Sequence, residues 1–160
     1  MRIESIYTHR DSIRLASGQI FARLVSVDGS RKPAKTLLLI VDTGAFITVI
    51  NKEKAEESGY KIIEERGLNI RGFSEKGLVC DLRVIPEAVF CGFRIKDVLV
   101  ATPHDDGVKV SEVLGMNILE NFSFGFDLNE SEIYLSARGD FISQKPHYSC
   151  GDISIFEEEE

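Results

Sequence analysis

An aspartate directly follows a run of apolar residues in this chain. Positions 37–41 read Leu-Leu-Leu-Ile-Val, which predicts a strand buried on both faces, and Asp42, Thr43 and Gly44 come next. A carboxylate at the end of such a strand loses hydration that only hydrogen-bond donors or a partner charge replace. Gly44 permits a sharp turn that directs its N–H at the carboxylate, and the Thr43 hydroxyl is suited to fix the loop. The pattern indicates an acid/base carboxylate on a rigid turn.

The same tripeptide also suits an ordinary turn, because aspartate and glycine are common turn residues. A second apolar unit favours the catalytic interpretation. Positions 113–119 read Val-Leu-Gly-Met-Asn-Ile-Leu, an apolar segment interrupted by Gly115, and strand-like segments follow at 122–128 and 133–135. The two apolar units, each with a small turn residue at its centre, are spaced as one domain requires.

These segments resemble the retropepsin-like aspartic peptidases, the single-domain relatives of pepsin found in retroviruses and as cellular proteins. The resemblance rests on Val-Asp-Thr-Gly-Ala-Phe-Ile-Thr-Val-Ile at 41–50, on the segment at 113–119 and on the final hairpin at 122–135. It covers roughly residues 18 to 138. It implies an all-β fold, namely a closed and mostly antiparallel β-barrel with one or two short helices.

The resemblance also assigns roles to the turn. It implies that Asp42 is the catalytic residue and that Thr43, Gly44 and Ala45 support the active site, with Gly44 facing the substrate backbone. Retroviral enzymes carry an acidic residue after the Asp-Thr-Gly-Ala motif and an arginine in the downstream segment, and the two form an ion pair.

Two uncharged residues, Phe46 and Met116, stand at these two positions in the present chain. Both charges are absent together, so neither is left without a partner, and we expect an aromatic contact with the thioether in place of the ion pair. Asn117 is expected to hydrogen-bond the Thr48 hydroxyl and so to pin the catalytic turn. Gly115 belongs to the same structural support.

A segment with a glycine at each end, Gly72 and Gly77, lies between two predicted strands and has the pattern of a hairpin tip. In the family, a hairpin in this part of the chain folds over the substrate as a flap that expels water and binds the peptide backbone. Gly72, Phe73 and Ser74, together with Phe46, are then the candidate flap and substrate-binding residues. An ordinary surface hairpin is the other interpretation, and turn chemistry does not separate the two.

The chain has 160 residues, 43% of them hydrophobic, which suits one domain with a single core. We assign residues 1–138 to the peptidase-like domain and 139–160 to a C-terminal extension with a candidate interface strand and an acidic tail. The sequence holds one Asp-Thr-Gly and no Asp-Ser-Gly. A two-aspartate site therefore requires a homodimer in which each copy contributes Asp42.

Composition excludes several partners and cofactors. The net charge of −7 argues against nucleic acid, and no apolar stretch is long enough to span a membrane, so we expect a cytoplasmic protein. An odd set of three cysteines, Cys80, Cys91 and Cys150, favours free thiols. Their spacing from the histidines supports no metal site, and the mechanism needs no cofactor.

The secondary structure expected from the pattern is mostly strand. Strands are predicted near 12–16, 19–27, 36–41, 47–50, 68–73, 78–85, 88–91 and 94–101. A short helix is predicted over 52–58, capped by Asn51 and ended by Gly59, and a second helix over 112–119.

The function expected from these observations is that of a homodimeric aspartic endopeptidase acting on a protein or peptide substrate. One alternative is a catalytically silent dimeric scaffold or peptide-binding module of the same fold. Another is a monomeric β-barrel that binds a ligand and uses the Asp-Thr-Gly only as a turn. Solution mass separates the third possibility from the first two, and peptide hydrolysis separates the first from the second.

Overall fold

The computed structural model describes residues 6–27, 33–72, 76–138 and 141–143. Its strands are β1 (Ile6–Ser12), β2 (Arg14–Ala16), β3 (Gln19–Val27), β4 (Pro33–Val41), β5 (Thr48–Val49), β6 (Lys61–Ile70), β7 (Leu78–Phe90), β8 (Phe93–Pro103), β9 (Val113–Leu114), β10 (Ser123–Asp127), β11 (Glu132–Arg138) and β12 (Phe141–Ser143). Its helices are α1 (Lys52–Glu57) and α2 (Met116–Leu119). No helix in these ranges is both long and apolar enough to cross a membrane.

Six strands close into a barrel in the order β3, β4, β9, β5, β8 and β7. The ring closes because β7 pairs with both β8 and β3. Most pairs are antiparallel, whereas β4 with β9 and β5 with β8 are parallel. Strands β1, β11 and β10 form a separate antiparallel sheet. The expected all-β, closed and mostly antiparallel fold with two short helices is confirmed.

Strand β6 lies at one end of the barrel sheet and pairs with β7. Its register shifts twice, between Ile62 and Glu64 and between Glu64 and Leu68. Arg66 lies inside the second irregularity with a φ of +55°. At the other end of this sheet, β12 pairs in parallel with β8. The rest of the predicted C-terminal extension, including Cys150, lies outside the described residues.

The strand before Asp42 is buried on one face only. Leu37 and Leu39 are 1% and 0% exposed, whereas Leu38 between them is 38% exposed. The prediction of burial on both faces is wrong because β4 belongs to a barrel wall, where successive side chains point alternately to the core and outwards. The inward side chains nevertheless fix the register that places Asp42.

The apolar interior consists of two clusters. The larger one holds most of the buried aromatic and aliphatic side chains, including Phe90 and Phe93. The second, which we call the small core, contains Ile47, Val49 and Val113 and several side chains from β6, β7 and β8. Ala45 and Phe46 of the turn after Asp42 pack against the small core, so this cluster supports the candidate site directly.

The helix predicted over 112–119 is wrong in its first half. Val113 and Leu114 form β9, which pairs in parallel with β4, and Val113 also pairs antiparallel with β5. Gly115 is extended, with φ −95° and ψ 179°, and α2 begins at Met116. A short apolar run suits either secondary structure, and here the neighbouring strands supply the hydrogen bonds of a strand.

The predicted helix over 52–58 is present as α1, and Gly59 follows it with a φ of +72°, as predicted. The predicted role of Asn51 as the cap is wrong, because its side chain makes no capping hydrogen bond. The amide instead pairs with the backbone of Val110. Competition from this distant backbone, invisible in the local sequence, explains the difference.

A buried carboxylate on β7 connects this strand to β6 and to the segment that follows β8. Asp81 is 2% exposed, and its Oδ1 accepts hydrogen bonds from the Arg66 backbone N–H at 2.9 Å and from Nδ1 of His104 at 2.8 Å. Arg66 Nε donates to the other ring nitrogen of His104 at 3.0 Å, which places the ring proton on Nδ1. Burial raises the pKa of Asp81, but the hydrogen bonds from Arg66 and His104 and the charge of Arg83 outweigh burial and hold this pKa below its usual range.

Asp81→Asn should remove part of the acid sensitivity of the fold. A carboxyl whose pKa is lower in the folded chain stabilises the fold fully above the unfolded pKa, about 3.9, and loses this contribution as the pH falls through the folded pKa. We expect the unfolding free energy of the wild type to fall more steeply than that of Asp81→Asn below about pH 4. Urea unfolding across this range measures the slopes. The exposed-site variant Asp97→Asn should follow the wild type, and equal slopes for all three proteins would contradict the role given to Asp81.

Candidate active site

The turn after β4 directs backbone groups at the Asp42 carboxylate. The Gly44 N–H donates to Asp42 Oδ1 at 2.9 Å, as the sequence predicts. The Ala45 N–H donates to the Asp42 carbonyl oxygen at 3.2 Å and closes the turn, and the Asp42 N–H donates to the Leu114 carbonyl at 3.1 Å. The carboxylate is half-buried, while Thr43 and Gly44 are exposed. One carboxylate oxygen is thus held by the backbone on a turn that faces outwards.

A side chain at position 44 would crowd this arrangement. A Cβ atom built on Gly44 lies 3.2 Å from Asp42 Oδ1. This separation is tight for a carbon against a carboxylate oxygen that already accepts a hydrogen bond. The glycine therefore supplies both the N–H and the room that the carboxylate needs.

Thr48 and Asn117 connect the turn to α2 through hydrogen bonds in the interior. The Thr48 hydroxyl donates to Asn117 Oδ1 at 2.9 Å, which confirms the predicted bond, and the Thr48 N–H donates to the same oxygen at 2.9 Å. The Asn117 amide donates in turn to the Leu99 carbonyl at 2.8 Å. Both polar side chains are 0% exposed. Each has partners, so neither carries the cost of an unpaired buried group.

Gly115 lets the two segments approach each other. Its N–H donates to the Thr48 hydroxyl oxygen at 3.0 Å, and a Cβ at this position would lie 2.4 Å from the carbonyl carbon of Ile47. The N–H groups of Met116 and Asn117 then donate to backbone carbonyls of the turn, at Ala45 and Phe46. We call the side chains of Thr48 and Asn117 together with the Gly115 backbone the pin of the site.

A cavity of about 610 Å³ opens beside Asp42. One part of its wall comes from the turn and β5, another from the end of β6, and another from the segment that enters β9. The lining residues are Gln19, Ile40, Asp42, Gly44, Ala45, Phe46, Ile47, Val49, Ile70, Arg71, Gly72, Ser111 and Val113. A carboxylate beside a cavity of this size is suited to acid/base chemistry on a bound molecule.

The structure brings some of the predicted flap and binding residues to this cavity. Phe46 and Gly72 line it, and Gly72 has a φ of +101°, which suits a tight hairpin loop. Ile70 at the end of β6 pairs with Leu78 at the start of β7, so the predicted hairpin is present. Phe73 and Ser74 lie outside the described residues, and their role stays a prediction.

The predicted replacement for the retroviral ion pair stays a prediction too. Phe46 packs against the small core, whereas Met116 packs against the larger cluster. Thr43 is exposed in the single chain, and the support that the resemblance assigns to it likewise remains a prediction.

Sequence reasoning missed several cavity residues. Ile70 and Arg71 directly precede Gly72, so the hairpin interpretation could have included them. Ser111 and Gln19 had no comparable signal, because contacts with distant parts of the chain place them at the cavity. Gln19 lies on β3, which pairs with β4, and Ser111 lies on the irregular backbone before β9. Local patterns carry no information about such contacts.

The two described cysteines, Cys80 and Cys91, are free and buried. Burial raises the pKa of each thiol to about 12, so both stay protonated at neutral pH and serve as apolar packing. The predicted strand position holds for Cys80 on β7. It is wrong for Cys91, which has a φ of +47° in the turn between β7 and β8.

Thr48→Val should destabilise the fold through the pin. The methyl group leaves the Gly115 N–H without its acceptor and removes one of the two Thr48 donors to Asn117, at a cost on the order of 1 to 3 kcal/mol. Denaturant unfolding of Thr48→Val, Asn117→Leu and the double variant tests the coupling. We expect the two effects to be non-additive, whereas additive effects would refute the pin. Thr36→Val, at an exposed position of β4, is the matched control and should change stability by less than about 0.5 kcal/mol.

Solved structures show where this architecture occurs. The chain aligns with a retropepsin-like aspartic protease from Rickettsia conorii at a TM-score of 0.59 and 19% identity, over 86% of this chain and 98% of that one. It also aligns with the EIAV protease in complex with the inhibitor HBY-793, at a TM-score of 0.49 and 17% identity, over 65% and 88% of the two chains. Comparisons with protein-family profiles and with curated protein sequences give no match. On the first of these structures and its own barrel topology, the chain has the retropepsin-like fold.

Proposed function

We propose that this protein is a homodimeric aspartic endopeptidase that hydrolyses peptide bonds with one Asp42 from each copy. The observation that carries the proposal is the Asp42 carboxylate, oriented by the Gly44 N–H at 2.9 Å on the wall of a cavity of about 610 Å³. The retropepsin-like fold is the second support. The same turn on this fold is suited to carry an acid/base carboxylate.

The proposed chemistry calls for two copies of the chain. Activating a water molecule and protonating the scissile carbonyl at the same time requires a base and an acid, and the sequence has one Asp-Thr-Gly. Thr43 and Gly44 beside the carboxylate are exposed, so the turn is accessible to a second copy. A two-fold axis through this surface would bring the two Asp42 side chains together.

The proposed mechanism follows from the proximity of two carboxylates. Like charges within hydrogen-bond distance cannot both be ionised cheaply, so the pair holds one proton. The ionised Asp42 accepts a proton from water as the water oxygen bonds to the scissile carbonyl carbon, and the protonated Asp42 gives its proton to the carbonyl oxygen. The Asp42 that took the proton from water then gives it to the nitrogen, and the other Asp42 accepts a hydroxyl proton from the diol. The carbonyl forms again as the bond between carbon and nitrogen breaks, and the pair is left with one proton.

An extended protein or peptide chain is the substrate we propose. The hairpin of β6 and β7 carries Gly72 to the cavity wall, where a closing tip with Phe73 and Ser74 would exclude water around the substrate. Phe46, in the same wall, would contact a substrate side chain. The cytoplasm is the compartment we propose, since Cys80 and Cys91 are free thiols.

A silent scaffold or peptide-binding module is the second candidate function. Phe46 favours it, because this aromatic residue lines the cavity at a position where the retroviral relatives carry an acidic residue. Such a protein would bind extended peptides in the cavity and release them intact. Hydrolysis by the wild type decides between the two functions.

Asp42→Asn should abolish hydrolysis while the fold and the dimer persist. The amide keeps the size of the side chain but cannot share and transfer the proton, so kcat should fall at least about a hundredfold. The assay follows cleavage of a flexible peptide library between about pH 4 and 7, where a carboxylate pair could hold one proton. A statine-type transition-state mimic should block the wild type, and chelators and thiol reagents should leave it active.

Asp97→Asn, at an exposed site, is the matched control and should keep wild-type activity. Full cleavage by Asp42→Asn, or its loss on chelation, would overturn the aspartic mechanism. If the wild type binds the statine peptide and cleaves nothing in the library, the scaffold function replaces the endopeptidase.

Sedimentation should show a species of twice 17.9 kDa. Thr43→Glu adds a negative charge on each side of the proposed axis and should shift the dimer towards the monomer. Thr36→Glu adds the same charge on the outer face of β4 and should leave the dimer intact. A wild type that stays monomeric at every concentration, even with the statine peptide bound, would rule out the shared site.

A further inference from the structure

Asn51 makes a two-point contact with the backbone of a distant residue. Its Oδ1 accepts a hydrogen bond from the Val110 N–H at 2.9 Å, and its Nδ2 donates to the Val110 carbonyl at 3.2 Å. The amide thereby satisfies both backbone groups of one residue, as a neighbouring strand would. A helix cap would have used the same oxygen locally, so the side chain is committed to Val110.

Glu112 ties the same two segments together from the other side. Its Oε2 accepts a hydrogen bond from the Asn51 N–H at 3.0 Å, and its Oε1 contacts the Lys54 ammonium. The Glu112 side chain is 10% exposed, so these partners compensate a largely buried charge. Its backbone carbonyl accepts from the Ile40 N–H at 3.0 Å, two residues before Asp42.

These contacts fix the position of a part of the cavity wall that no helix or strand hydrogen bonds fix. Residues 110–114, which we call the wall segment, contribute Ser111 and Val113 to the lining. Strand β9 fixes the end of the segment, where Val113 and Leu114 pair with β4. Before β9, the described residues 104–112 form turns and irregular backbone. The contacts of Asn51 and Glu112 hold this irregular part against the start of α1.

We propose that Asn51 is a positioning residue that holds the wall segment at a set distance from Asp42 and so determines which substrate side chains the cavity accepts. This inference rests on the proposed function, because it concerns substrate selection by the same cavity. Asn51 does not line the cavity itself, and its effect on a substrate would pass through Val110 and the lining residue Ser111. Asn51 stands at the end of the segment that leaves the catalytic turn through β5, so one short stretch of chain carries the carboxylate and holds the neighbouring wall segment.

Asn51→Ala tests the inference with two peptide substrates that differ only in leucine or alanine next to the cleaved bond. Displacement of the wall segment should raise KM for the peptide that the wild type cleaves more efficiently. It should also change the ratio of the two kcat/KM values by about tenfold or more. The pH profile of kcat should stay as in the wild type, because the carboxylates are unchanged. A purely structural role would instead lower the active fraction, so that kcat falls equally for both peptides with KM and their ratio unchanged.

Hydrogen exchange supplies a readout that does not depend on catalysis. The Val110 amide should exchange about tenfold faster in Asn51→Ala, the scale of one lost hydrogen bond, while the amides of β8 keep their wild-type rates. Asn129→Ala, at an exposed turn, is the matched control and should change neither exchange nor selectivity. Where Asn51→Ala fails to fold, Asn51→Asp keeps the acceptor for the Val110 N–H but sets a carboxylate oxygen against the Val110 carbonyl, and a change of selectivity in the same direction is expected.

The outcomes separate this inference from the proposed function. An active wild type with unchanged selectivity in the folded Asn51 variant overturns the inference alone. An unchanged exchange rate at Val110 overturns it as well, whatever the activity. A wild type that neither cleaves the peptides nor binds a statine peptide overturns the proposed function and the inference with it.

Discussion

A buried hydroxyl and a buried amide hold the candidate site together. Thr48 and Asn117 are 69 residues apart in sequence and share a hydrogen bond with no access to water. A polar group in the interior is costly when unpaired, so the two segments have one favourable arrangement rather than a range of them. The close approach at Gly115 depends on this arrangement, and so do the backbone bonds from α2 to the turn. The position of the Asp42 carboxylate beside the cavity is a consequence of the same constraint.

The lowered pKa of Asp81 ties the stability of the fold to pH in a way that differs from the proton chemistry we propose. Aspartic chemistry works where a carboxylate pair retains one proton, which is at acidic or mildly acidic pH. The carboxylate of Asp81, outside the cavity, has the opposite requirement, because its hydrogen bonds with Arg66 and His104 favour the ionised form. The proposed function thus requires an Asp42 that exchanges a proton, whereas the fold requires an Asp81 that keeps its charge.

The sequence predicted those features that residue types or the resemblance specify. The turn at Gly44, the left-handed Gly59 and the bond from Thr48 to Asn117 follow from residue types and from the resemblance, and all are present. The failures share a cause, since tertiary partners decided between locally equivalent choices. Val113 and Leu114 form a strand rather than a helix because they pair with β4. The Asn51 amide bonds the backbone of Val110 instead of capping α1. The cavity walls at Gln19 and Ser111 could not be predicted, because strand pairing places the first and the contacts of Asn51 and Glu112 with each other and with Val110 hold the segment of the second.

The irregular edge strand β6 bears on the proposed binding of extended chains. A straight sheet edge offers unpaired backbone groups to any peptide in a β conformation, and so competes with a binding cleft for the same ligand. The two register shifts of β6 and the left-handed Arg66 break up that row of donors and acceptors, and the charged side chains of Lys61, Glu64 and Glu65 accompany the break. This edge of the barrel sheet is thereby a poor template for an added strand, so it competes weakly with the cavity for an extended peptide.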